Sequence, residues 1–306
     1  MSLASRTSDT VVPPAAPPAG HRAPPADPAG PAPVRHRRSR IRPGLLLASV
    51  FLLWLAAAVL VPDLLAPADP YAVDPGRSFE APGASAWFGT DDSGADAYTR
   101  IVHGAATSLY IGVGATAIGV VGGTAVGLLA GLNGRFVEAS VMRFLDVTLA
   151  IPEILLALVV IGIIGGGTEN AILAIGAGSI AYYARITRAQ THLVRRSGFV
   201  EAARTLGLPA WRILLTHTVP NVMKPVLVLA TIGIGSAIGA GASLSFLGLG
   251  TPPPAPEWGA MLSAGRNFIS NAPWLITFPA AFLVATVLSI TVIGRELRRR
   301  AEGRLP

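Results

Sequence analysis

The sequence predicts an all-α integral membrane protein with six transmembrane helices and both termini in the cytoplasm. Three observations carry this. Of 306 residues, 51% are hydrophobic and only 13% are charged, about half the charged share expected of a soluble domain. The apolar residues gather in six runs. The arginines crowd at alternate ends of those runs, which is the bias of cytoplasmic loops.

Residues 1–42 are rich in Pro, Ala and Arg. As far as about residue 34 they lack apolar periodicity. A segment of this composition cannot bury enough surface to offset its chain entropy, so a disordered cytoplasmic tail is expected. Arg35, Arg37, Arg38, Arg40 and Arg42 stand directly before the first run, Leu45 to Val61. At ~1.5 Å per residue this run barely crosses a hydrocarbon core of ~30 Å. Ala66-Pro67-Ala68 resembles the small-residue cleavage site of a signal peptide, but the tail ahead of it is very long for a charged n-region. On either reading the arginines keep the N-terminal side in the cytoplasm. Residues 43–104 therefore comprise a first helix and an acidic extracytoplasmic segment. There Asp63, Asp69, Asp74, Glu80, Asp91, Asp92 and Asp96 outnumber Arg77 and Arg100.

Residues 105–294 hold the other runs, 106–131, 144–164, 170–187, 222–248 and 274–294. Asn133-Gly134, Gly165-Gly166-Gly167 and Thr251-Pro252-Pro253-Pro254 mark turns between them. Alternation puts Arg135, the loop 188–221 and the basic tail 295–306 on the cytoplasmic side. These segments carry Arg188, Arg195, Arg196, Arg204, Arg212, Arg295, Arg298, Arg299, Arg300 and Arg304.

The second run carries Gly119, Gly123, Gly127 and Gly131, four residues apart and so near one helical face. Lipid supplies no hydrophobic drive to pair helices, and small residues let two backbones approach closely. A packing stripe is expected. Gly235 and Gly239 repeat it weakly in the fifth run. The third run holds two carboxylates, each costly in hydrocarbon unless paired or wetted. Asp146 lies three residues after Arg143, the spacing of a helical pair, and reads as structural. Glu153 lies ~15 Å farther along than Arg143 and follows Pro152, which removes a backbone donor and favours a kink. Glu153 either lines a water-filled pathway or pairs with another helix or subunit.

Soluble and catalytic readings fail on composition and spacing. There is no cysteine, hence no disulfide framework, thiolate metal site or cysteine nucleophile. His21, His36, His103, His192 and His217 lack metal-ligand spacing, and no Walker-type phosphate loop is present. A paired nucleophile and base is also missing. The formal charge of +7 invites a nucleic-acid reading, but the arginines flank apolar runs rather than covering one basic face. No metal, directly bound cofactor, nucleic-acid partner or enzymatic activity is expected.

In the loop 188–221, a polar helix runs through Ala202, Ala203 and Leu206. Gly207 suits its left-handed end. Pro209 suits the first turn of a second helix, with Trp211, Ile213 and Leu214 as its apolar side and Pro220 closing it at the membrane. A loop pinned at both ends has little freedom to enter a major groove. Ala202 and Ala203 leave a shallow surface that can sit in a partner's groove, with Glu201 and Arg204 offering charges of both signs. An ordinary cytoplasmic connector has the same composition.

The spacing Glu201-Ala202-Ala203, then Gly207, then His217-Thr218-Val219-Pro220 resembles the EAA loop of ABC importer permeases. The chain further resembles the C-type permeases of dipeptide, oligopeptide and nickel importers. The stretches that carry this are WFGTDDSGAD (87–96), GAATSL (104–109), FVEAARTLG (199–207), HTVPN (217–221), SLSFLGLGTPPPAPEWGAML (243–262) and NAPWLITFP (271–279). The resemblance spans about 45–294. It implies the type I ABC importer permease fold, with a coupling loop at 189–221 that contains Glu201, Ala202, Ala203, Arg204, Leu206, Gly207, His217 and Pro220. It further implies a multi-pass protein of the cell membrane that pairs with a second homologous permease. Two cytoplasmic ATP-binding subunits hold the ATP and Mg, and an extracytoplasmic binding protein delivers a substrate, with peptides the expected cargo and nickel or other small solutes the alternatives. A different class, a secondary transporter driven by an ion gradient through Glu153, fits the apolar runs but not the EAA spacing. The chain departs from the family pattern at Ala95, at Leu208-Pro209-Ala210 and at Arg295.

Overall fold

Residues 43–301 are described by a computed structural model, and they are helical apart from their connections. The expected disorder of the N-terminal tail and the last residues of the basic tail lie outside the described residues. Among the described residues the only extended pairing is an isolated bridge between Thr90 and Asp96.

Helix α1 (Pro43–Leu60) starts on a proline, whose missing N–H costs nothing in a first turn. It buries Leu55 and Ala58 while Leu47, Leu53 and Leu60 face outward, as suits a lipid-facing helix. A short turn, α2 (Pro62–Leu65), follows. The acidic segment then folds back on itself. Asp91 accepts hydrogen bonds from the backbone N–H groups of Ser93 and Ala95 and from Arg100. Arg77 donates to Glu80 at 2.6 Å, which holds the Glu80 carboxyl below the usual carboxylate range. Asp96 caps α3 (Ala97–Leu132) by accepting from the N–H of Thr99 at 2.8 Å. With 36 residues, α3 is ~54 Å long. It extends beyond the apolar run read from the sequence.

The third run is not one helix. It is split into α4 (Arg135–Ala150) and α5 (Glu153–Ile164), which meet at an angle of 92°. Pro152 brings the break because it has no N–H to donate and bars the preceding residue from the helical region. Its own carbonyl starts the new helix by accepting from Leu155 and Leu156.

Helix α6 (Thr168–Arg195) follows the glycine turn, where Gly165 and Gly167 have φ of +91° and +121°. It absorbs both the fourth run and the first part of the long loop. At 28 residues it is long enough to cross a bilayer, but Glu169, Arg185 and Arg188 make it more polar than its neighbours. Each has a partner: Tyr110 of α3 donates to Glu169, and Arg185 and Arg188 pair with Asp146 and Glu138 of α4. Then come α7 (Gly198–Thr205), α8 (Ala210–Ile213), a π turn (Leu214–Thr218) and α9 (Val219–Phe246). Helix α10 (Trp258–Gly265) and the long α11 (Trp274–Ala301) complete the chain. By length and composition, α1, α3, Ala210–Phe246 and α11 suit membrane crossing, and the bent α4–α5 pair makes a fifth span if it crosses as one.

The glycine stripe of α3 lies against α6. A Cβ at Gly123 would stand 2.4 Å from Tyr183 Cβ and 2.9 Å from the Ala184 nitrogen. One at Gly127 would stand 2.5 Å from the Ala184 carbonyl oxygen, and those at Gly119 and Gly131 would meet Ser179 and Thr191. The backbones therefore touch where no side chain intervenes. In α9, Gly235 meets Val287 and Thr291 of α11, whereas Gly239 has open space beside it.

Candidate functional site

The segment from Ser197 to Asn221 is built on the last turn of α6. Ser197 Oγ and N–H both bond the Val194 carbonyl. One face of α7 is then closed off: Val200 and Ala203 are buried with Ile213, under Val194 and Leu208. The sequence treated Ala202 and Ala203 as one shallow surface. The structure separates them, with Ala203 in this small core and Ala202 exposed beside Glu201 and Arg204.

The end of α7 is a glycine-dependent cap. Gly207, at φ +76°, donates its N–H to the Arg204 carbonyl at 2.9 Å, and Leu208 donates to the Ala203 carbonyl at 3.2 Å. Two carbonyls that the helix leaves orphaned are thereby satisfied, and Leu208 seals the cap against the apolar face. Nothing stands within 4 Å of a Cβ placed on Gly207. Glycine is needed there for its backbone conformation, not for space. Pro209 sits immediately ahead of α8, and its carbonyl accepts from Arg212 and Ile213.

Pro220 does not close the second helix. The chain runs on as a helix from Ala210 to Phe246. The π turn makes this possible: Val219 donates its N–H to Leu214, five residues back. That register shift passes the chain over a proline that has no N–H to give. The side-chain amide of Asn221, one residue past the proline, donates to the His217 carbonyl at 2.6 Å. His217 stacks on Phe199 of α7, with ring centroids 6.5 Å apart.

What remains outside is a continuous mixed surface. Leu206 is 79% exposed and Trp211 65% exposed, and Leu215 and Phe199 also face outward. Around them stand Glu201, Ala202, Arg204 and Arg212. An apolar cluster with a charged rim is the composition of a docking surface. The sequence put Trp211, Ile213 and Leu214 on one apolar side, but the structure exposes Trp211 and buries Ile213; Leu215 and Phe199 were not distinguishable from core residues before the fold showed which side is covered.

The carboxylates of the third run part company. Asp146 pairs across helices with Arg185 of α6 rather than with Arg143 one turn back. Glu153 begins α5, exposed, with its Cγ lying beside Gly178 of α6. Two further carboxylates matter that the sequence did not single out. Glu138 accepts from Arg188 Nε at 2.7 Å and lies 3.0 Å from His192 Nε2. Glu257 is 1% exposed and accepts from the N–H groups of Gly259 and Ala260, both at 2.8 Å, and from Ser108 Oγ at 3.3 Å. Glu257 caps α10, a role the sequence does not signal, because Glu is not among the residues favoured at an N-cap. Ala95, where the family pattern is broken, is buried and donates to Asp91. Among the described residues, no group of His, Asp and Glu has the arrangement of a metal site.

Comparison with known proteins agrees with this architecture. The family described as binding-protein-dependent transport system inner membrane component matches residues 123–304. The chain is 38% identical over 255 residues to a dipeptide transport system permease protein of Alkalihalophilus pseudofirmus, covering 83% of each. It is 35% identical over 295 residues to a di/tripeptide transport system permease protein of Pseudomonas aeruginosa, covering 93% of this chain and 97% of that one. A glutathione transport system permease protein of Shigella flexneri is 39% identical over 263 residues, with 86% and 87% covered. Among solved structures, the inward-facing MetNI methionine ABC transporter shares the fold, with a TM-score of 0.54 at 22% identity over 66% of this chain and 95% of that chain. The chain belongs to the family of binding-protein-dependent transport system inner membrane components, the permease subunits of ABC importers.

Proposed function

We propose that this chain is one of two homologous permeases in an ATP-driven importer of short peptides, and that Gly198 to Leu215 is the surface through which ATPase subunits move it. One observation carries the coupling role. The side of α7 that faces its own chain is filled by Val200 and Ala203, yet the outward side displays Leu206, Trp211 and Leu215. Exposed apolar residues on so small a subdomain call for a cover. A helix laid into a partner's groove buries such residues. Peptide cargo follows the dipeptide and di/tripeptide transporters among the relatives.

On this reading the chain crosses the plasma membrane six times, with α6 as the polar, protein-enclosed span and both termini cytoplasmic. The partners are a second permease, two cytoplasmic ATP-binding subunits that hold ATP and Mg, and an extracytoplasmic binding protein. The chain itself performs no chemistry. ATP binding favours one arrangement of the ATPase pair over the other, and the loop passes that difference to the spans. Glu153, at the break of the third span, lines the pathway, where water or a cationic group of the cargo offsets its charge.

The test is a reconstituted transporter in proteoliposomes carrying Leu206→Asp and Trp211→Ala together. ATPase subunits should be lost on purification and uptake should fall at least tenfold. Full uptake with a disrupted surface would overturn the proposal.

A further inference from the structure

Helix α4 is held to the protein by very little apolar contact. Leu145 is its only buried residue, resting against Ala181 and Ala184 of α6. Phe136, Phe144 and Val147 face outward. Val141 and Met142, half-buried, join Leu145, and the polar contacts beside them lie in a line. Along α6, Arg185 pairs with Asp146, while Arg188 and His192 both meet Glu138. One turn farther on, Arg195 Nη1 donates to the Gly131 carbonyl at 2.6 Å and to the Leu132 carbonyl at 3.3 Å. Positions 185, 188, 192 and 195 follow a helical spacing of three and four, so they occupy one face.

This face ends where the coupling segment begins. Arg195 closes α6, and Ser197 opens the turn into α7, which is fastened to Val194 by two hydrogen bonds and by the core of Val200 and Ala203. At its other end α4 runs through Pro152 into α5 and Glu153. A displacement of α7 therefore reaches α6 through packed contacts. The second half of the broken span, α5, packs on α6 through Ala157 and Ile161, whereas the first half, α4, meets α6 chiefly through Arg185, Arg188 and His192.

We infer that Arg185, Arg188, His192 and Arg195 form a polar track that binds α4 and the end of α3 to α6, so that coupling-helix movement is transmitted to α4, the first half of the broken third span. Glu138 and Asp146 are the riders on this track and act as positioning residues, without touching cargo or nucleotide. Contiguous polar networks between rigid elements can carry coupling, and the claim stands only if breaking them changes coupling rather than folding. The inference rests on the proposed coupling role of α7.

The sequence has no cysteine, so this chain can be spin-labelled at introduced cysteines alone and then assembled with unlabelled partners. Labels go at Phe136 on α4 and Leu193 on α6, both exposed, in the complete transporter with its ATPase subunits. In the otherwise unchanged protein the distance between them should be narrow and should stay constant when ATP is added. With Glu138→Ala it should broaden and shift with ATP. In proteoliposomes the same variant should keep ATP hydrolysis within about twofold while uptake falls about tenfold. The charge exchange Glu138→Arg with Arg188→Glu should restore most of the uptake and the narrow distance, which a nonspecific folding defect would not allow. A narrow, ATP-insensitive distance in Glu138→Ala, or unchanged uptake per ATP, overturns the track, as does a charge exchange that restores neither readout. If the unmodified complex shows no ATP-dependent uptake, the importer proposal falls while the label distances still test the linkage.

Discussion

Replacing Gly207 separates the backbone requirement of the proposed coupling loop from its surface chemistry. At φ +76° an L-residue brings its Cβ close to the following carbonyl, which costs about 1–2 kcal/mol; Asn and Asp relieve part of this by bonding locally. A Cβ meets nothing within 4 Å, so sterics within the chain add nothing to that cost. Gly207→Ala thus weakens the closed form of the loop by about 1–2 kcal/mol, a factor of about 5–30 in its population relative to open forms. What opens is specific: the Leu208 to Ala203 and Gly207 to Arg204 hydrogen bonds, and with them the alignment of α7 over α8. The assay is uptake per ATP hydrolysed in proteoliposomes, with ATPase subunit retention as a second readout. Gly207→Ala should lower the ratio several-fold, and Gly207→Asn should stay closer to the unmodified protein. Gly207→Asp keeps a tolerated backbone but adds a charge beside Leu206, so it reports on the docking surface. If Ala and Asn behave alike, the conformational argument is refuted.

Gly127→Val pushes a branched side chain into the Ala184 carbonyl, 2.5 Å from its Cβ position. Overpacking of this kind costs about 1–3 kcal/mol, so Tm in detergent should drop clearly, whereas Gly239→Ala, facing open space, should leave it unchanged. Glu257→Ala strands two buried N–H groups that the carboxylate now satisfies. About 1–3 kcal/mol of stability should be lost, read as a lower Tm, with Gln retaining part of it. Glu153→Gln removes a charge from the proposed pathway. Uptake of peptides should slow and their relative rates should change, and an unaltered rate and range would remove Glu153 from the pathway.

Which stretches belong in helices was readable because hydropathy and turn chemistry are local. The run Leu45 to Val61 became α1 (Pro43–Leu60) because an uninterrupted apolar stretch has few other ways to satisfy its backbone in lipid. The cap at Gly207 was equally legible, since only a few residue types accept a left-handed conformation. The same holds for the glycine stripe, whose spacing of four puts Gly119 to Gly131 near one face whatever packs there. Partners across space were not legible. Asp146 has Arg143 at helical spacing, yet Arg185 takes it, because which cation wins depends on where α6 lies. Pro152 and Pro220 carry the same local instruction, to withhold a donor. One produces a 92° break, and the other is carried through by a π turn in which Val219 donates to Leu214. Helix α6 looked like a short span followed by a polar loop because hydropathy assumes lipid on all sides. Its charges are instead met by Tyr110 of α3 and by Asp146 and Glu138 of α4. The sequence alone therefore determined the apolar runs, the glycine cap at Gly207 and the family, while tertiary packing decided which charges meet, which prolines bend the chain and which face of the proposed coupling loop stays open to a partner.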